Sequence, residues 1–208
     1  LDMVSCISGE ENMDKVTAGM RAGLNITYAM RVAMGKKVFG GLAMAARKLT
    51  CGAIPMWNEH FPKAAHKITY NSVEPANGGA TAGTVVYFPS CITRSMGVSK
   101  SYSNELEITR LTEKLLLKAG YKVIYPENMN KLCCGMAFSS KGYVEAGKKA
   151  SDELEAALLK ASENGKYPVL CDMSPCLYTM HTNMDGGVLK LYEPAEFILK
   201  FLVDKLKI

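Results

Sequence analysis

The chain predicts an α/β fold: a mostly parallel four-stranded sheet with flanking helices, preceded by an α-helical N-terminal segment. Three observations carry this. Short apolar runs rich in β-branched and aromatic residues recur, as in Val85-Val86-Tyr87-Phe88 and Tyr121-Lys122-Val123-Ile124-Tyr125. Apolar residues at helical spacing fill the gaps between these runs. Strand and helix alternate along the chain, an order that lays strands side by side in parallel under covering helices.

Residues 13–49 are rich in Ala, Met, Gly, Arg and Lys. Met20, Leu24, Met30, Met34, Val38, Leu42 and Leu49 recur near helical spacing, which predicts one or two helices with a break at Gly40-Gly41. Methionine fills irregular gaps between helices; the competing reading is an exposed stripe that docks on another domain. Residues 71–83 hold Pro75, Asn77, Gly78, Gly79 and Gly83 without a strong apolar pattern, the composition of a linker. The expected organisation is therefore a helical segment over 1–70, a linker over 71–83 and an α/β domain over 84–208.

Within that domain the first strand ends at Phe88 and runs into Pro89-Ser90-Cys91. Leu106, Leu111, Leu115 and Leu116 form an apolar stripe that predicts a helix over 103–119, stopped by Gly120. The second strand, 121–125, leads past Pro126 to Cys133-Cys134. Val144, Leu154, Leu158 and Leu159 predict a helix over 141–163 that ends near Asn164-Gly165. Pro168-Val169-Leu170 is a third strand, entering Cys171-Asp172-Met173-Ser174-Pro175-Cys176 and a short helix. A last strand, 188–192, precedes a helix over 194–206 with Pro194 in its first turn.

Five of the seven cysteines, Cys91, Cys133, Cys134, Cys171 and Cys176, thus fall just after predicted strands. In a parallel, Rossmann-like sheet the carboxyl ends of the strands share one edge, and ligands bind outside it. Thiols gathered there commonly hold a metal or an iron–sulfur cluster. The competing reading is that each cysteine packs as a small hydrophobe.

Phe88-Pro89-Ser90-Cys91, Cys133-Cys134-Gly135 and Ser174-Pro175-Cys176 together resemble the cysteine-rich CCG domain. That domain occurs in a cysteine-rich subunit of heterodisulfide reductase, in the iron–sulfur subunit of glycolate oxidase and at the C-terminus of FAD-linked D-lactate dehydrogenases. The resemblance covers residues 84–208. More faintly, Ile54-Pro55-Met56-Trp57-Asn58 and Phe61-Pro62-Lys63-Ala64-Ala65 are similar to the linker before this domain in the D-lactate dehydrogenase group. It implies an electron-transfer module fed by FAD on a flavin-binding domain or subunit outside this chain. A ferredoxin-like domain and a quinone or other electron acceptor are the further partners implied. The cluster would be a 4Fe-4S group, cubane or non-cubane. The family's fullest pattern ends in Cys-x-x-Cys, whose first cysteine would fall at Met173; here the cysteine stands two residues earlier, at Cys171. Four thiolates suit a cubane cluster or tetrahedral zinc equally, so zinc stays open as the alternative.

In this reading the five thiolates are ligands rather than nucleophiles, and no catalytic residue is assigned. Gly135 would let the backbone approach the cluster, and Arg94 would balance its negative charge; the competing reading of Arg94 is solvent exposure. Asp172 is expected to cap the turn after Cys171, since carboxylate suits a soft sulfur site poorly. His60, His66 and His181 are each isolated in sequence; His181, five residues after Cys176, is near enough to approach the cluster as a ligand or proton carrier, but reads as a surface residue. Cys51 reads as core and Cys6 as the tail of a preceding ferredoxin-like segment. No serine–histidine pair, P-loop or dinucleotide fingerprint supplies substrate chemistry of its own. The whole is expected to serve an oxidoreductase acting on 2-hydroxy acids of D-lactate or glycolate type. Three alternatives remain: a heterodisulfide-reductase-like catalytic subunit, a zinc-stapled structural domain and a cluster-free interaction module.

Composition sets the outer limits. An apolar fraction of 48% in 208 residues is ample for a core. No run reaches transmembrane length, and no signal peptide is visible at Leu1-Asp2-Met3. Seven unevenly spaced cysteines fit a reducing cytoplasm better than a secreted disulfide framework. The net charge of +5 is spread along the chain without aromatic-basic interleaving, which argues against nucleic acid. It leaves room for peripheral attachment to an anionic membrane face.

Overall fold

The computed structural model describes residues 13–54, 56–67, 69–75, 81–184 and 187–206. Pro55, Cys6 and the linker residues Asn77, Gly78 and Gly79 lie outside them. The chain divides into two compact units, Leu1–His66 with Arg94–Glu107, and Lys67–Thr93 with Ile108–Ile208.

The first unit is built on one long helix, α1 (Met13–Leu49). Its break is at Gly35, where φ is 77° and ψ 160°, rather than at Gly40-Gly41 as the sequence suggested. A positive φ of that size is open to glycine at little cost. Gly40 has a different reason to be glycine: a Cβ there would lie 3.3 Å from Trp57 Cζ3. Trp57 in turn meets Phe39 edge-on at 4.9 Å between ring centroids. Leu24 and Phe39 are buried, whereas Met30, Val38, Leu42 and Leu49 of the expected stripe are exposed. Arg21 straps the unit together, donating to the carbonyls of Arg94 (2.9 Å) and Ala65 (2.6 Å). Glu107 accepts both the backbone N–H of His66 at 2.9 Å and its ring Nδ1, at 2.8 Å.

The second unit holds the sheet. Strands β1 (Gly83–Phe88), β2 (Tyr121–Ile124), β3 (Val169–Cys171) and β4 (Leu191–Tyr192) lie in the order β2-β1-β3-β4. Every pairing is parallel. Central β1 pairs on both sides, with Val86 opposite Ile124 and also opposite Val169. Val85, Val86, Tyr87 and Phe88 are accordingly all fully buried, which explains their unbroken apolar run. Val73 exchanges two backbone hydrogen bonds of 2.9 Å with Val123, so a short antiparallel bridge covers part of the β2 edge.

The flanking helices are α2 (Cys91–Ser95), α3 (Ile108–Lys118), α4 (Met136–Ser139), α5 (Val144–Ala161), α6 (Ser174–Asn183) and α7 (Pro194–Phe197). Three elements differ from the sequence reading. Helix α3 starts later than expected and turns a different face inward: Thr109, Glu113 and Leu116 are buried, while Leu106 and Leu111 are exposed. The cause is Glu113, which accepts the Tyr125 hydroxyl at 2.7 Å just beyond β2 and so draws its face to the sheet. Strand β4 keeps only two residues, and the segment before it passes close to Gly165, where a Cβ would meet the Val188 carbonyl. The last helix widens after α7 into a π-helical turn, Ile198–Leu202, in which Val203 N–H reaches back to Ile198 O at 3.0 Å. Phe197 there packs against Tyr121, Tyr192 and Phe201. Among the described residues no helix is long and apolar enough to cross a membrane.

The face assignment of α3 has a direct test. Leu116 is fully buried and Leu111 52% exposed. Leu116→Ala should cost about 2–5 kcal/mol in chemical denaturation. Leu111→Ala should stay within about 0.5 kcal/mol of the parent.

Candidate metal centre

Parallel pairing sends the carboxyl ends of β1, β2 and β3 to one edge, and the candidate thiols follow from there. Cys91 opens α2 directly after β1 and is half-buried. Ser90 caps that short helix, its hydroxyl accepting Thr93 N–H at 3.2 Å. Cys171 is the last residue of β3, opposite Phe88 of β1, and is fully buried. Its thiol donates to the Met173 carbonyl at 3.6 Å. Met173 itself, where the family pattern would place a cysteine, is the N-cap residue of α6 in an extended conformation. Cys176 lies in the first turn of α6 and is buried.

Cys133 and Cys134 arrive by a longer path. A 3-10 turn, Met129–Lys131, buries Met129 and turns the chain inward, and both thiols are almost wholly buried. Gly135 follows with φ 88° and opens α4. A Cβ at Gly135 would collide with the Gly147 carbonyl, and one at Gly147 with Ser139 Oγ. Two glycines thus let α4 lie directly on α5. Gly135 is needed for this packing whatever else it does, and its N–H donates to Cys133 Sγ at 3.4 Å.

The thiols form a connected set. Cys133 hydrogen-bonds with Cys134 and with Cys91, and Cys134 also with Cys176. Cys171 is close enough to feel the charges of Cys134 and Cys91. The Cys134 thiol pushes the pKa of Cys133 up to about 11, Cys91 opposes this and burial adds to it. Cys134 is pulled down by Cys133, but its bond to Cys176 and its burial take it to about 12. Burial alone is the main cause that lifts Cys171 to about 12. The surroundings of Cys133, Cys134 and Cys171 thus favour the protonated thiol.

Asp172 does not cap the turn after Cys171, as the sequence suggested; α6 has no side-chain cap bond at its start. Its carboxylate turns to β1 instead. It accepts the Ser90 backbone N–H at 2.8 Å and the Tyr87 hydroxyl at 3.0 Å. Burial raises its pKa, and the hydrogen bonds from Ser90, Tyr87 and Thr93 oppose the rise. Sequence reasoning missed this pairing; the signal was Tyr87, a hydroxyl inside an otherwise apolar strand.

Of the remaining candidates, Arg94, Cys51, His60 and His66 belong to the first unit. Arg94 is buried, against the solvent-exposed reading, and belongs to the first unit. Cys51, expected in the core, is exposed at the turn that ends α1, and its φ of 49° suits a surface turn. His181 is exposed. The six described cysteines are all free thiols.

The donor set suits a soft metal or a cluster. Among the described residues no three His, Cys, Asp or Glu side chains converge closely enough to hold a single ion as they stand. A cluster asks less of one point, because each thiolate takes its own iron. Gly135 N–H on a ligand sulfur is also the kind of bond that tunes a cluster.

Residues 85–181 match the family described as CCG, cysteine-rich domain. No curated protein and no solved structure matches the chain. The matched segment contains all five clustered cysteines, and the cysteine-rich domain points to a metal-binding or iron–sulfur electron-transfer region.

Two outcomes follow from this geometry. An unfolded chain loses its thiol protons near the ordinary value of 9.0, whereas the folded chain holds those of Cys133, Cys134 and Cys171 up to about 11 to 12. Between these values the unfolded state binds fewer protons, so the metal-free protein should lose stability as pH rises from 9 towards 12. Denaturation midpoints across that range should fall less steeply for Cys134→Ser than for the parent. Gly135→Ala should destabilise by more than about 1 kcal/mol, since it adds both a strained φ and a collision with Gly147.

Proposed function

We propose that the chain, whose residues 85–181 match the CCG cysteine-rich domain, is the iron–sulfur electron-transfer region of a flavin-linked 2-hydroxy acid dehydrogenase of the D-lactate or glycolate type. The observation that carries the reading is the connected set of five cysteines at the carboxyl edge of the sheet, four of them buried. Cys91, Cys133, Cys134, Cys171 and Cys176 are the thiolates that would hold the group. When bound, an iron–sulfur cluster supplies one-electron transfer at a potential set by its surroundings.

The chain's own residues do the rest. Metal binding must displace the thiol protons, so the site loads better as pH rises. Gly135 N–H, already on Cys133 Sγ, and the first turn of α6, which carries Cys176, stabilise negative sulfur. Burial of Cys133, Cys134 and Cys171 keeps water from the centre. FAD on a partner domain or subunit would deliver electrons from the hydroxy acid, and a ferredoxin-like domain, a quinone or another acceptor would take them on.

The same burial disfavours the heterodisulfide-reductase reading. A substrate disulfide attacked at the centre needs an open path, and of the five cysteines only Cys91 is not buried.

The test is iron and acid-labile sulfide per chain after anaerobic purification or reconstitution, with the visible absorption of each variant. Cys134→Ser and Cys176→Ser should abolish cluster binding, because a hard hydroxyl replaces a soft thiolate. Cys51→Ser should leave iron content unchanged. Stoichiometric zinc in place of iron, or full iron in the Cys134 variant, would overturn the reading.

A further inference from the structure

The loop after β3 is tied to the loop after β1 by the Asp172 carboxylate. Asp172 follows Cys171 directly, and its hydrogen-bond donors come from the residues that lead into or surround Cys91. Tyr87 donates its hydroxyl at 3.0 Å from β1. Ser90 donates its backbone N–H at 2.8 Å. The side chains of Ser90 and Thr93 hydrogen-bond to the same carboxylate. Ser90 also caps α2, so the carboxylate fixes the start of the helix that carries Cys91.

The strand register alone does not do this. Phe88 stands opposite Cys171, and the pairing stops there. Beyond that point Pro89, Ser90 and Cys91 leave one strand while Asp172 and Met173 leave the other, past the last rung of the ladder. Two loops leaving neighbouring strands are free to part unless something bridges them. A carboxylate fits the task because it accepts several donors at once. It is poorly suited to ligate a soft centre itself. Tyr87 matters for the same reason: its side chain is fully buried, and without Asp172 its hydroxyl would lose this acceptor.

We infer that Asp172 is a positioning residue, which holds the Cys91 loop against the Cys171 loop so that their thiols share one site before any metal arrives. The inference rests on the reading of the thiols as metal ligands. Groups that orient first ligands in this way typically change metal affinity by about 10- to 100-fold when removed.

Cobalt(II) titration of the anaerobic, metal-free protein tests it, read from the thiolate-to-cobalt absorption. Asp172→Ala should bind cobalt about 10- to 100-fold more weakly and show altered ligand-field bands. Asp172→Asn keeps an oxygen acceptor for Ser90 N–H and should recover most of the affinity. Tyr87→Phe removes one donor of the set and should fall between the parent and Asp172→Ala. A second measurement needs no metal: cross-linking of Cys91 to Cys171 by a short bis-maleimide, mapped by mass spectrometry, should slow in Asp172→Ala. Parent-like cobalt binding and cross-linking in that variant would overturn the inference. Equal loss in the Asn and Ala variants would also overturn it, by showing that the charge rather than the hydrogen bonding matters. If Asp172→Ala does not fold, Asp172→Asn and Tyr87→Phe decide the matter on the same two measurements. A parent that takes up no metal sinks the ligand reading instead, and the cross-linking then still reports on the bridge.

Discussion

Parallel pairing is the constraint on which the rest of the sheet unit depends. In the order β2-β1-β3-β4 each strand points the same way, so each chain segment leaves the sheet at the same edge. Five cysteines spread along the chain from Cys91 to Cys176 become neighbours for that reason. An antiparallel hairpin anywhere among the first three strands would send one cysteine group to the far end. The central strand bears the largest share of this: β1 pairs on both sides, buries its last four residues and hands directly to Cys91.

Burial then decides what the thiols are. Cys133, Cys134 and Cys171 are surrounded by protein, and a thiolate without a partner there is costly. The protein answers by keeping the protons on. A metal replaces those protons with a centre that pairs the sulfur charges, which exchanges neutral burial for charged, compensated burial. The glycines serve the same end by geometry. Gly135 and Gly147 bring α4 onto α5 with no side chain between, and that close contact holds the turn that follows Cys133 and Cys134.

The strands, their order along the chain and the cysteine placement were legible because each leaves a local mark: β-branched runs, glycine stops, cysteine after strand. What stayed illegible was set by contacts distant in sequence. Leu106 and Leu111 make a convincing stripe, yet α3 turns Glu113 inward because Tyr125 supplies a buried hydroxyl to meet it. Gly40-Gly41 reads as a break, yet the helix bends at Gly35 and Gly40 makes room for Trp57. Cys51 reads as core by composition but ends a helix on the surface. For α3 and Gly40 a partner further along the chain overrides the local pattern. The candidate ligands were visible from spacing and motif, whereas the polar groups that arrange them were not.

Those polar groups share a logic. Tyr125 with Glu113 and Tyr87 with Asp172 are both a phenol on a carboxylate, and the two rings pack at 5.7 Å between centroids. Burial raises the pKa of both phenols, so they stay protonated donors, and each fixes a carboxylate that would otherwise seek water. One carboxylate turns a helix face to the sheet; the other turns a loop back to its neighbour. A buried acid beside a thiolate site adds negative charge where sulfur already concentrates it, which is unfavourable unless donors surround it. Ser90 and Tyr87 supply those donors from the segment that leads into Cys91, so stabilising the acid and aligning the two loops are one and the same act.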